Sequence, residues 1–148
     1  MSPRLTLKST ALEKVHTAID RDFDEHLSKC RDFLRLKSIS VTGEGIRETA
    51  ERIKEILTNL GAKVSLWGNP SFPIVYGRLN AGAKKTLVIY GMYDVQPAEE
   101  RNWMSPPFAA EIHHLKGIGP CVIARGTYNS KGVLYGLFNV LETIKVTD

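Results

Sequence analysis

The sequence predicts an α/β fold, a three-layer arrangement around a mixed sheet. Three observations carry this expectation. Residues 10–37 run without Gly or Pro at helical periodicity. The period of the apolar residues changes after Gly61 from helical to alternating. Residues 86–90, TLVIY, are a short continuous apolar run of the kind found in strands covered on both faces. Helices first, then several strands, then another helix is the order such a layered fold produces.

The first helix is expected over 10–37, where Leu12, Val15, Ile19, Phe23, Leu27, Cys30 and Leu34 step by three or four and make one apolar stripe. A break at 38–45, SISVTGEG, precedes a second amphipathic helix over 46–60, with Ile46, Ala50, Ile53, Leu57 and Leu60 on one side and Gly61 as C-cap. Segments 62–68, 73–79 and 85–90 then read as strands, followed by 108–114 and 121–125. A closing helix over 131–145 aligns Leu134, Leu137, Phe138, Leu141 and Ile144, while Gly132 and Gly136 permit close packing on a strand. Three helices are too few to cover both faces of a central strand such as TLVIY. The sequence therefore reads as a piece of a larger domain, or as one that self-associates.

Composition narrows the function. The 148 residues are one domain's worth of chain, with ordinary hydrophobic (43%) and charged (24%) fractions. A net charge of +4 is spread among acidic residues, and Lys84-Lys85 is the nearest thing to a cluster, so no nucleic-acid footprint is expected. Two cysteines in no ligand spacing, Cys30 and Cys121, fit a reducing compartment. MSPRLTLKST lacks the apolar core of a signal peptide, and no apolar run approaches a membrane span. A cytoplasmic location is the resulting expectation.

Searches for phosphate-binding glycine loops, nucleophile elbows and paired-histidine zinc helices find nothing. His16 and His26 read as helix residues, and His113 and His114 as strand neighbours that point to opposite faces. Two stretches remain. GMYDVQP (91–97) brings Asp94 to a strand end and is followed by Trp103 and Pro106-Pro107-Phe108; ARGTYNSKG (124–132) ends a strand in a glycine turn that enters a helix.

Together these two stretches resemble the co-catalytic zinc peptidases and deacylases, the family of acetylornithine deacetylase, succinyl-diaminopimelate desuccinylase, carnosinase-type dipeptidases and aminoacylases. The likeness runs from about residue 20 to the end and takes in Ser38-Ile39-Ser40. It implies the three-layer fold of that family, incomplete here: residues 1–148 are expected to be the N-terminal part of the catalytic domain. The lid domain, which mediates dimers, and the C-terminal half of the catalytic domain lie outside it. It also implies hydrolysis of a peptide or N-acyl amino acid amide bond by two divalent ions, usually zinc, bridged by a carboxylate and a water. The partner is then a peptide or N-acyl amino acid substrate, with a homo-oligomer as the assembly and neither nucleic acid nor membrane involved.

Carried over residue by residue, the resemblance places Met92 at a histidine ligand position and Asn129 at the bridging aspartate position. A thioether is a weak zinc ligand, and a neutral amide cannot offset the repulsion of two dications. Asp94 matches the carboxylate that orients the histidine, and Arg125, Gly126, Ser130, Lys131 and Gly132 match the turn and helix start. The remaining ligands and the general-base glutamate of the family lie downstream. The expected function is thus that of an N-terminal piece of a metal-dependent amidohydrolase-like protein, inactive when isolated. The alternative is a non-catalytic relative that binds an amino acid or peptide, or acts as an interaction module.

Overall fold

The computed structural model describes residues 4–147, with side chains described from residue 10 onward. Residues 1–3 of the segment weighed as a leader thus lie outside the described residues. Helix α1 spans Arg4–Arg35, α2 spans Ile46–Asn59 and α3 spans Lys131–Thr147; the last two lie within two residues of the sequence expectation, and α1 begins six residues before it. Strands β1 (Lys63–Asn69) and β2 (Phe72–Arg78) form one antiparallel hairpin. Strands β3 (Glu111–Leu115) and β4 (Gly119–Ile123) form a second.

The core lies where the three helices meet. Phe33 from α1 is 1% exposed and packs its ring 5.3 Å from Tyr135 and 6.4 Å from Phe138, both on α3. Ile53 and Leu134 complete this cluster. A smaller one joins Leu34 to Ala110 and Ala124 beside the second hairpin. Hairpin β1–β2 packs on α2 through a close approach at Gly77, where an added Cβ would lie 2.9 Å from Leu57 Cδ1.

The α/β class holds, but its sheet differs from the expectation. The strands make two separate two-stranded sheets, and the sole parallel contact among the described residues is a bridge between Ile39 and Val95. The segment 85–90, expected as a central strand covered on both faces, pairs with no strand among the described residues. Leu87, Val88 and Tyr90 are 83%, 84% and 80% exposed. The physical reason is that a β-prone run becomes a strand only where another backbone supplies its hydrogen bonds. Leu87 and Ile89 instead line an apolar cleft of about 230 Å³ with Leu57, Val75, Leu134 and Phe138.

Part of the α1 stripe is also uncovered. Leu12, Ile19 and Phe23 are exposed, whereas Ala18, His26, Phe33 and Leu34 are buried. The periodicity located the helix correctly but could not say how far its apolar face is covered.

Candidate functional site

The two singled-out stretches meet. After the unpaired run, the backbone at 93–95 is tied to the end of α1: Val95 N donates to Ser38 O at 2.8 Å, Ser40 N to Val95 O at 3.1 Å and Ser38 Oγ to Tyr93 O at 2.6 Å. The second stretch arrives from β4, turns at Gly126 with φ 92° and enters α3. Ser130 Oγ then donates to Asp94 O at 2.7 Å, joining the two turns directly.

The glycines in the second turn have steric reasons. A Cβ on Gly126 would lie 2.9 Å from Val95 Cγ1, and its positive φ disfavours side chains. A Cβ on Gly132 would lie 2.0 Å from Thr127 O. The Asn129–Ser130 peptide bond is cis.

Arg125 clamps the loop that follows the first stretch. Its backbone N–H donates to Pro107 O at 2.7 Å, its Nη2 to Pro97 O at 2.9 Å, and its guanidinium lies 5.2 Å from the Trp103 ring centroid. These contacts join the loop that carries Trp103 and Pro106-Pro107 to the second turn. Lys131 is fully buried; its Nζ donates to Leu36 O and lies 4.8 Å from the Phe33 ring centroid. Burial lowers its pKa to about 7, with a small opposing effect from Cys30. Both residues hold the frame together.

Met92 is 47% exposed and Asn129 is exposed, and no hydrogen bond joins either to the other residues of this group. Asp94 is half-buried, and its carboxylate makes no salt bridge among the described residues. Among the described residues, no group of three His, Cys, Asp or Glu side chains is placed to hold a metal ion. The donor set at this turn pair, a thioether and an amide beside one carboxylate, does not fit a pair of zinc ions.

Sequence reasoning did not assign Ser38 and Tyr93 a role. Ser38 is fully buried and Tyr93 Oη donates to Pro73 O at 2.6 Å, so both position the first turn against neighbouring elements. Their signal was weak: a serine after a helix end and a tyrosine beside an aspartate are common surface residues.

The chain is similar to known proteins over most of its length. It is 31% identical to a Cys-Gly metallodipeptidase of Schizosaccharomyces pombe over 150 residues, covering 91% of this chain and 31% of that protein. A Cys-Gly metallodipeptidase of Candida albicans is 43% identical over 72 residues, covering 47% of this chain and 14% of that one. An M20 family metallo-carboxypeptidase of Sulfolobus solfataricus matches in structure with a TM-score of 0.70 at 41% identity, covering 80% of this chain and 26% of its own. Human carnosine dipeptidase 1 shares the fold, with a TM-score of 0.78 at 23% identity over 91% of this chain and 31% of its own. No family model matches. The chain spans under a third of the length of each of these relatives.

Proposed function

Because the chain matches the co-catalytic zinc peptidase/deacylase family in sequence and fold, we propose that it forms the N-terminal part of the catalytic domain of a peptidase-like protein. In the intact protein this part frames a site for hydrolysis of a peptide or N-acyl amino acid amide bond. The observation that carries the reading is the contact of the two turns, Ser130 Oγ on Asp94 O at 2.7 Å, in a chain 41% identical to a metallo-carboxypeptidase of the same fold.

The chain's own residues supply positioning. Ser38 and Lys131 fix the two turns to the segment that follows α1, Ser130 joins the turns to each other, and Arg125 fixes the loop at 97–107. With Met92 and Asn129 at the ligand positions, this chain alone is inactive and holds zinc poorly. A reducing, cytoplasmic setting suits its two free cysteines, and the homo-oligomer belongs to the same proposal.

A second reading rests on those two substitutions. Loss of both the imidazole and the bridging carboxylate, with the frame kept, suits a non-catalytic relative that binds an amino acid or peptide or serves as an interaction module.

Two measurements separate the readings. Elemental analysis of the intact protein is expected to find at least one bound metal, and a dipeptide assay is expected to show hydrolysis; a metal-free, inactive protein leaves the second reading. Calorimetric zinc titration of the Met92→His, Asn129→Asp double variant is expected to show affinity raised at least about tenfold. Unchanged affinity means that these two positions do not face a metal.

A further inference from the structure

The register of the second hairpin gathers a side-chain cluster that no sequence spacing shows. Glu111 and His113 alternate on β3, and Cys121 on β4 is the direct cross-strand partner of His113. Side chains two apart on a strand share a face, and so do those of directly opposed residues. All three therefore project from one side of the hairpin, while His114 projects from the other.

The cluster is oriented as well as assembled. His113 Nε2 lies 3.2 Å from Glu111 Oε2. A carboxylate only accepts, so this contact puts the ring proton on Nε2 and leaves the Nδ1 lone pair free for a cation. The Cys121 thiol is free and half-buried, and it donates only weakly, at 3.7 Å, to Gly119 O on its own strand. A turn about its Cα–Cβ bond brings the sulfur across to His113, because opposed Cβ atoms lie about 4.5–5.5 Å apart. The His113 side chain is 27% exposed, so solvent reaches the pair.

The donor set selects the ion. Among the described residues, no group of three His, Cys, Asp or Glu side chains is placed to hold a metal, so an ion that demands four ligands finds no complete set here. A thiolate opposite an imidazole suits monovalent copper, a soft ion that two ligands in line satisfy. With bonds of about 2 Å each, a sulfur–copper–nitrogen unit spans roughly 4 Å, close to the separation that the register sets. We propose that the β3–β4 hairpin binds one Cu(I) ion between Cys121 Sγ and His113 Nδ1, with Glu111 holding the imidazole from behind. The thiol proton leaves to solvent as the sulfur–copper bond forms, and copper keeps its oxidation state.

The test is an oxygen-free titration of the chain against Cu(I) held by a chromophoric chelator. The wild-type chain is expected to withdraw one equivalent and bleach the chelator complex. Cys121→Ser and His113→Phe are each expected to weaken binding at least about tenfold. A Cys30→Ala chain with wild-type circular dichroism, which lacks the other thiol, is expected to bind as before. Amide shifts of the isotope-labelled wild-type chain with Ag(I), a redox-inert stand-in, locate the ion without any variant. They are expected to move saturably at His113 and Cys121 and to stay still at Met92, and an equal concentration of Zn(II) is expected to leave the hairpin shifts unmoved. Failure to withdraw copper, full binding by Cys121→Ser or His113→Phe, loss of binding in Cys30→Ala, silver shifts centred on Met92 or Cys30, or hairpin shifts with zinc equal to those with silver overturns the proposal.

Discussion

The ammonium of Lys131 is fully buried, and desolvation brings its pKa down to about 7. In the unfolded chain a lysine titrates near ~10.4. Between those two values the unfolded state binds more protons than the folded one, so stability rises with pH, by up to about 1.4 kcal/mol per unit from this group. Below pH 7 both states are protonated and the full cost of the buried charge remains. The Cys30 thiol is raised by burial, so it stays protonated across the lower part of this window. The urea midpoint of the chain is therefore expected to climb from pH 7 to pH 9, and Lys131→Met to flatten the climb. A flat wild-type profile shows that Lys131 keeps its proton when folded. Two neighbours carry stability without titrating. Ser130→Ala removes the bond to Asp94 O and is expected to cost about 1 kcal/mol. Gly132→Ala places a methyl 2.0 Å from Thr127 O, which forces the backbone apart and is expected to cost about 3 kcal/mol or more in the same measurement.

Among the elements, the least protected is the run at 85–90. It has neither a ladder nor a covering layer among the described residues, so its amides have nothing to slow exchange. Hydrogen exchange of the isolated chain is expected to find 86–90 unprotected while α2 and the core turns of α1 and α3 are protected. Strong protection at 86–90 means that this run pairs in solution, with a second copy or with β2. The same contrast explains what was legible in the sequence. Helices α1, α2 and α3 were found because their signal is local: 3.6-residue periodicity, Gly61 after the second helix and no proline within any of them. Hairpins β1–β2 and β3–β4 were found for a similar reason, since each pairs with its sequence neighbour. TLVIY is apolar and β-prone, yet it forms no strand among the described residues, because a strand's partners are not written in the strand. The site divides the same way. The turn residues Gly126, Ser130, Lys131 and Gly132 were legible from the motif. The tethers from Ser38 and Leu36 to those turns span 55 and 95 residues, and no local pattern encodes them.

For the whole molecule, the distribution of exposed apolar surface has a consequence. Helices cover one side of the β1–β2 hairpin, where Pro73 is buried and Gly77 meets Leu57. The alternate residues on its other side, Trp67, Ile74 and Tyr76, are exposed, and Trp67 stacks on Tyr76 with ring centroids 4.6 Å apart. Val88 and Tyr90 add to the exposed apolar surface of the chain. A monomer rarely leaves so many large apolar side chains in water, and an unpaired β-prone run is a template for another backbone. The isolated chain is therefore expected to self-associate, with a weight-average mass in sedimentation that grows with concentration. Replacing Val88 and Tyr90 by lysine leaves the core of Phe33, Ile53 and Phe138 untouched, because both side chains face solvent. The Val88→Lys, Tyr90→Lys chain is expected to remain monomeric with an unchanged helical circular dichroism spectrum. Unaltered association in that variant moves the sticky surface elsewhere, to the α1–α3 groove where Ile19, Phe23 and Val140 are also exposed. A wild-type chain that stays monomeric at every concentration means the exposed run folds back on itself, a result that the exchange pattern at 86–90 checks independently.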